Sequence, residues 1–200
     1  YKMQAEAIFR SAIRLHQEGL KIKPEIMIPL IADKKELDFV KSYLTEHIQW
    51  LFQDYEQDPF PYEIGTMIEL PRACLTADKL AQEADFFSFG TNDLTQMTYG
   101  FSRDDIGKFI GHYKKKDILS SDPFQNIDKD GVGELMRIAI NKARQVKPNL
   151  SIGICGEVGG DPTSISFFQD IEVTYVSCSP YRVPAARLAV AQAVLQEGKN

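Results

Sequence analysis

The chain has 200 residues, 44% of them hydrophobic, which is enough for one folded domain with a substantial core. Its net charge of −5 provides no basic face for a nucleic acid, and no apolar run approaches the length of a membrane span. Three scattered cysteines, Cys74, Cys155 and Cys178, form neither a disulfide framework nor a zinc motif and indicate a reducing, cytoplasmic setting.

Short apolar runs alternate with amphipathic stretches from one end of the chain to the other, the pattern of an α/β protein. Strands are predicted at residues 25–31, 64–70, 86–90, 151–155 and 173–178. Helices are predicted at residues 4–18, 33–54, 76–84, 132–146, 164–169 and 183–197. The first helix is predicted to bury Ala5, Ile8, Ala12 and Leu15. Residues 99–126 show no sustained period and are predicted as a long loop.

Five parallel strands separated by helices fit two architectures. They can form a complete, doubly wound open sheet, or they can be five-eighths of a TIM barrel. Periodicity does not distinguish these alternatives.

Two acids lie at the ends of neighbouring strands of this pattern, Glu69 near the end of the second strand and Asp93 just past the third. The carboxyl ends of parallel strands lie at one edge of a sheet, where ligands bind in α/β folds, so both acids are expected in one site. Neighbouring carboxylates repel each other, and Mg²⁺ is a cation suited to lie between them. The structural alternative is a strand-end salt-bridge partner and a helix N-cap.

Glycines occur at the ends of the third and fourth predicted strands. The turn Gly90-Thr91-Asn92-Asp93 and the stretch 153–160 let backbone N–H groups approach a bound ligand. Cys155 lies in the second stretch and is a candidate for chemistry. A single cysteine in a strand is otherwise a small buried hydrophobic residue.

Four stretches carry a more specific resemblance: GTMIELPRA, FFSFGTNDLTQMTYGFSRDD, GICGE with GGDP, and YVSCSPYRVPAARLA. They resemble the C-terminal phosphoenolpyruvate/pyruvate-binding barrel of the pyruvate phosphate dikinase family. They are more distantly similar to phosphoenolpyruvate synthase and to the first enzyme of the bacterial sugar phosphotransferase system. The resemblance covers nearly the whole chain. It implies that residues 1–200 are the C-terminal part of a (β/α)8 TIM barrel whose first strands precede residue 1.

The resemblance also implies roles for individual residues. Glu69 and Asp93 correspond to the two magnesium ligands of the family. Cys155 corresponds to the residue that protonates the enolate carbon, and Arg103 to an active-site arginine. The stretch that contacts the substrate corresponds to Gly90, Thr91 and Asn92. One position departs from the dikinase pattern, because Val158 stands where a histidine is expected.

The activity implied by the resemblance is that of a phosphotransferase. It converts ATP, phosphate and pyruvate reversibly to AMP, diphosphate and phosphoenolpyruvate through a phosphohistidine on another domain of the same parent chain. A homodimer is implied, in the cytoplasm, or in a plastid if the protein comes from a plant. The phosphate-binding arginines and the phosphocarrier histidine lie outside this sequence, so the isolated piece is expected to be inactive. His16, His47 and His112 are predicted as surface or loop residues.

Two other functions remain compatible with the residues. The chain could belong to phosphoenolpyruvate synthase or another magnesium-enolate enzyme, such as a lyase that acts on an oxo acid. It could also be an inactive folding and dimerisation module.

Overall fold

The computed structural model describes residues 1–197, with side chains as far as Leu195. Its centre is a five-stranded parallel sheet. The strands are β1 (Glu25–Ile28), β2 (Glu63–Ile68), β3 (Phe86–Gly90), β4 (Ser151–Cys155) and β5 (Tyr175–Val176). The α-helices are α1 (Lys2–Gln17), α2 (Lys34–Asp54), α3 (Pro71–Leu75), α4 (Ala77–Ala81), α5 (Thr91–Tyr99), α6 (Ile110–Lys115), α7 (Val132–Val146), α8 (Pro162–Asp170) and α9 (Val183–Glu197).

The strand order distinguishes the two architectures that the sequence left open. Each strand pairs with the next one in sequence, in the order β1-β2-β3-β4-β5. A doubly wound sheet reverses direction at a switch point, whereas barrel strands follow one another around the sheet. The predicted α/β class and barrel-type strand order are therefore confirmed. In residues 1–197, β1 does not pair with β5, and the sheet stays open.

One face of the sheet is covered by helices because it presents large apolar side chains. The residues that this face contributes to the core are Ile28, Ile64, Ile68, Phe87, Phe89, Ile152 and Ile154. Burying each such side chain contributes about 1.5–3 kcal/mol. This face therefore supplies a large share of the fold's stability.

The opposite face of the sheet is only partly covered by the described residues. Met27 and Tyr175 are each 38% exposed there. The ring of Tyr175 lies directly over Gly153, where a Cβ atom would overlap it. A glycine at position 153 is thus required for β5 to lay its tyrosine across β4.

Several boundaries differ from the sequence predictions for local reasons. β1 ends at Ile28 because Pro29 has no N–H group for the ladder. β5 has two residues rather than six. The helix predicted at 76–84 is the shorter α4, and α3 precedes it in a stretch where no helix was predicted. The predicted loop 99–126 contains a 3-10 turn, Ile106–Lys108, and the short helix α6.

The buried residues of the helices were predicted less well than their positions. Helix α1 buries Ala5, Phe9, Ala12 and Ile13, whereas Ile8 is 42% exposed. The predicted stripe was therefore wrong by a fraction of a turn. No helix in residues 1–197 has the length and apolar character needed to cross a membrane.

The prediction for the histidines was wrong for His47. This side chain is 7% exposed in helix α2, and its Nε2 lies 3.0 Å from Glu6 Oε2. The ring of His47 also stacks on Trp50 at 5.5 Å. Because Glu6 belongs to α1, His47 links the two helices rather than lying free on the surface.

Candidate active site

The predicted site residues meet at the carboxyl ends of three adjacent strands. Glu69 follows β2, Gly90 ends β3, and Cys155 ends β4. Gly90 and Cys155 are direct partners in the β3–β4 register. Helix α5 begins immediately after Gly90, so Asp93 lies in its first turn. The sheet thus brings the two acids and the thiol to one edge.

Glu69 is a buried carboxylate, 2% exposed. Burial raises its pKa, and the neighbouring charge of Asp93 and a hydrogen bond with that side chain raise it further. The backbone N–H of Leu30 donates to Glu69 Oε1 at 2.7 Å and opposes this shift. A divalent cation between Glu69 and Asp93 would relieve both the desolvation and the repulsion.

Gly90 lets the Glu69 carboxylate lie close to β3. A Cβ atom at position 90 would overlap Glu69 Oε2 and would also meet the side chain of Met67. The glycine is therefore explained by a close approach of side chains within the site. The sequence pattern had indicated only a backbone that approaches a ligand.

The residues that follow β3 and β4 are tied together by hydrogen bonds. Thr91 donates from Oγ1 to the Cys155 carbonyl oxygen at 2.9 Å. Asn92 Oδ1 accepts from the Glu157 backbone N–H at 3.3 Å. These contacts fix the first turn of α5 against the turn after β4.

Cys155 holds a neutral thiol. Burial raises its pKa above the ordinary value, a hydrogen bond with Ser88 lowers it, and the charges of Glu69 and Asp93 raise it again. The thiol also donates to the Phe89 carbonyl oxygen at 3.4 Å. A thiol whose pKa is raised keeps its proton near neutral pH.

Ser88 and Tyr175 are two neighbours of the thiol that sequence reasoning missed. Ser88 is 1% exposed and forms side-chain hydrogen bonds with both Cys155 and Tyr175. A polar residue inside the otherwise apolar run FFSFG was a usable signal for Ser88. Tyr175 had no such signal, because tyrosine is ordinary in strands.

Arg103 lies at the edge of the site rather than at its centre. Its Nη2 donates to Glu157 Oε1 at 3.0 Å, and both side chains are about half exposed. Its backbone N–H donates to Gln96 Oε1 at 3.0 Å. A second arginine, Arg182, donates to the Glu157 carbonyl oxygen at 3.1 Å. Glu157 therefore gathers two cationic side chains near the turn after β4.

The donor set of this site fits a divalent cation with an incomplete protein shell. Among residues 1–197, no group of three or more His, Cys, Asp or Glu side chains is arranged to hold a metal ion. Glu69 and Asp93 supply two carboxylates. Mg²⁺ is commonly held by one or two carboxylates, with water and substrate oxygens completing its shell.

A comparison with protein families gives the class of protein to which this fold and site belong. The family described as "PEP-utilising enzyme, PEP-binding domain" matches residues 1–195. The chain belongs to this family.

Relatives of known name make the similarity more specific. The chain is 56% identical to pyruvate, phosphate dikinase of Clostridium symbiosum, over 97% of the chain and 22% of the relative. It is 52% identical to the chloroplastic pyruvate, phosphate dikinase of Mesembryanthemum crystallinum, over 96% of the chain and 20% of the relative. It is 51% identical to the pyruvate, phosphate dikinase of Rickettsia prowazekii, over 99% of the chain and 22% of the relative. The chain thus spans about a fifth of the length of these relatives.

A solved structure shows the same fold at low sequence identity. A citrate lyase from Burkholderia xenovorans LB400 aligns with a TM-score of 0.53 and 13% identity. The alignment covers 83% of this chain and 48% of the lyase. This likeness concerns the fold alone.

Proposed function

We propose that this chain is the C-terminal phosphoenolpyruvate/pyruvate-binding part of a pyruvate phosphate dikinase. The whole enzyme would convert ATP, phosphate and pyruvate reversibly to AMP, diphosphate and phosphoenolpyruvate. The observation that carries the proposal is the pair of carboxylates, Glu69 and Asp93, beside the protonated thiol of Cys155. With a bound cation, these groups can stabilise an enolate and exchange a proton at its carbon. The identity to named dikinases supports the same reaction.

Glu69 and Asp93 would hold Mg²⁺ in this site. The ion would act as a Lewis acid where negative charge develops on the carboxylate and enolate oxygens of the substrate. The burial of Glu69 supports this role, because a buried carboxylate beside a second acid needs a compensating cation.

Cys155 would give a proton to the enolate carbon and would take it back in the reverse direction. Because its pKa is raised, the thiol stays protonated near neutral pH and can act as the proton donor. Ser88, which bonds to both the thiol and Tyr175, would hold the thiol in one orientation.

The remaining predicted site residues would bind and orient the substrate. Gly90, Thr91 and Asn92 line the turn between β3 and α5, where Thr91 and Asn92 are already fixed against the turn after β4. Arg103 would supply positive charge to the transferred phosphoryl group after leaving Glu157. Val158 is buried and lies outside these roles.

The partners we propose come from the longer protein. A phosphohistidine domain of the same parent chain would deliver the phosphoryl group, and further strands at the amino-terminal side would complete the barrel. The whole enzyme would be a homodimer in the cytoplasm, or in a plastid if it comes from a plant. An apolar groove of about 610 Å³ lies between β5, α8 and α9. It supports this proposal, because another part of the longer protein would cover such a surface.

The test is phosphoryl transfer to pyruvate in the complete protein. A phosphorylated histidine domain should yield phosphoenolpyruvate when Mg²⁺ is present, and the yield should disappear in the Asp93→Asn variant. An oxo-acid lyase built on the same carboxylates would cleave its substrate without a phosphohistidine donor. Cleavage activity without phosphoryl transfer would therefore contradict the proposal.

A folding and dimerisation module is the second candidate, and the exposed apolar residues of α9 favour it. Leu188 is 61% exposed and Leu195 is 68% exposed. Sedimentation with and without Mg²⁺ and oxalate separates the candidates. A pure association module would self-associate equally in both conditions and would bind no oxalate.

A further inference from the structure

Among residues 1–197, four non-glycine residues have a left-handed backbone, and three of them are explained by helix ends. Glu56 (φ 48°), Asp117 (φ 53°) and Glu172 (φ 57°) each lie two residues after the last residue of a helix. Each donates its N–H to a carbonyl oxygen in the final helical turn. A left-handed residue at this position is the usual way to end a helix. The fourth residue, Leu30 (φ 56°), follows a strand instead.

The conformation of Leu30 is unfavourable for its residue type. A branched side chain disfavours positive φ, and glycine usually occupies such positions. The Leu30 side chain is 54% exposed, so packing offsets little of this cost. What the conformation achieves is a hydrogen bond: the Leu30 N–H donates to Glu69 Oε1 at 2.7 Å.

The turn that contains Leu30 is also anchored without Glu69. On one side, Thr66 donates from Oγ1 to the Ile28 carbonyl oxygen at 2.9 Å. On the other side, Arg72 donates to the Ala32 carbonyl oxygen and to the Asp33 carboxylate. These bonds hold the chain before and after Leu30. The Leu30 to Glu69 bond therefore serves the carboxylate more than the turn.

The hydrogen bond makes the two oxygens of Glu69 unequal. Oε1 accepts from Leu30, whereas Oε2 lies against Gly90 and β3, the strand that leads to Asp93. We infer that Leu30 is a positioning residue of the proposed metal site, which aims its N–H at Oε1 of Glu69 and leaves Oε2 to the divalent cation. This inference rests on the proposed function. It adds a residue that contacts neither substrate nor metal.

The experiment measures Mn²⁺ binding to the complete protein by electron paramagnetic resonance, with no turnover required. Replacing the Leu30 amide with an ester, by incorporation of the α-hydroxy acid, removes the N–H and keeps the side chain. We expect Mn²⁺ affinity to fall by about 10- to 100-fold, the usual cost of losing a group that orients a metal ligand. Leu30→Val, whose β-branch resists positive φ, should weaken Mn²⁺ binding similarly.

Two variants separate the metal effect from a general loss of stability. Leu30→Gly keeps the N–H and accepts positive φ, so it should retain Mn²⁺ affinity within about twofold while losing the side chain. Glu56→Val places the same strain at the end of α2, away from the site, and should lower the unfolding temperature without changing Mn²⁺ affinity. If Leu30→Val does not fold, the ester and glycine variants still decide the question.

The results also distinguish this inference from the proposed function. Unchanged Mn²⁺ affinity in the ester variant would overturn the role of Leu30, provided that Glu69→Gln weakens binding. Unchanged affinity in Glu69→Gln would overturn the proposed metal site itself. Weakened binding in both, with recovery in Leu30→Gly, is the result expected.

Discussion

Acidic side chains at the two ends of the β-sheet have different surroundings. At the amino-terminal end of the strands, two acids each have a lysine partner: Glu63 is paired with Lys23, and the Asp85 carboxylate lies 3.1 Å from the Lys41 ammonium group. Asp85 also accepts from the Ile64 backbone N–H at 2.8 Å. Both acids are neutralised by their lysine partners, so we assign them a role in stability.

At the carboxyl-terminal end, Glu69 and Asp93 face each other instead. Glu69 and Asp93 are neighbours, and neither forms an ion pair with a cationic side chain in the described part of the chain. Leaving two such charges together destabilises the metal-free fold. The comparison shows that an acidic residue at an end of this sheet has a structural role where a lysine neutralises it. Where no cationic side chain neutralises it, the acidic residue is suited to bind a metal cation.

The largest expected effect concerns the thiol at the carboxyl-terminal end. In the complete protein, Cys155→Ser should slow exchange of pyruvate methyl hydrogens with heavy water by about 10²- to 10⁴-fold, the usual contribution of a general acid–base group. A serine hydroxyl is a much weaker acid than a thiol. Mg²⁺ and oxalate binding should persist, because oxalate resembles the enolate and needs no proton. Cys178→Ser is the control, and exchange at the parent rate in Cys155→Ser would make Cys155 a packing residue.

A direct comparison of the two ends uses one substitution at each. Glu69→Gln should weaken Mn²⁺ binding by about 100-fold or more. This exceeds the usual cost of losing a residue that only orients a metal ligand. Glu63→Gln, which breaks the pair with Lys23, should leave Mn²⁺ binding unchanged and lower the unfolding free energy by no more than about 1 kcal/mol. Titration with Mn²⁺ and thermal unfolding measure the two effects. Equal metal affinities in the two variants would erase the distinction between the ends.

Asp85→Asn tests the structural end more severely. The substitution removes the carboxylate that neutralises the half-buried Lys41 ammonium group. We expect a loss of about 1–3 kcal/mol in unfolding free energy, because a half-buried charged donor loses its charged partner. Calorimetry of the complete protein should show a lower unfolding temperature for this domain with Mn²⁺ affinity intact. A large loss of metal affinity would mean that the two ends are coupled.

The smallest effect is a dependence of metal-free stability on pH. Burial and Asp93 raise the pKa of Glu69 above its ordinary value of 4.5. Its stabilising contribution is therefore complete below pH 4.5 and is lost as pH rises through the raised pKa. Glu69→Gln should remove this dependence and make the metal-free protein more stable at neutral pH than the parent. Unfolding curves of parent and variant that differ by a constant amount from pH 4 to pH 8 would argue against it.

Much of the fold could be predicted because each strand is a short apolar run in the sequence. The run Phe86–Gly90 is apolar and ends in a glycine turn, and Glu69 and Asp93 lie at the ends of two such runs. Parallel strands then bring the acids together by topology alone. The convergence of the site thus followed from local patterns and one general rule.

What could not be predicted depends on contacts distant in sequence. Residue type gives no sign that Leu30 adopts positive φ, because Glu69 accepts its N–H from another strand. The raised pKa of Cys155 arises from burial that only the assembled sheet creates. His47 is buried because α1 packs against it with Glu6, which no pattern within α2 indicates.

The sequential strand order also affects the entropy cost of assembling the site. A pairing between strands that are close in sequence closes a shorter loop. β2 and β3 are close in sequence, whereas residues 91–150 separate β3 from β4, and such non-local pairing is slower to form. The β2–β3 pairing that makes Glu69 and Asp93 neighbours therefore costs less loop-closure entropy than the β3–β4 pairing that brings Cys155 to them. The cation-binding half of the site depends on local pairing, and the proton-transferring half depends on a longer loop.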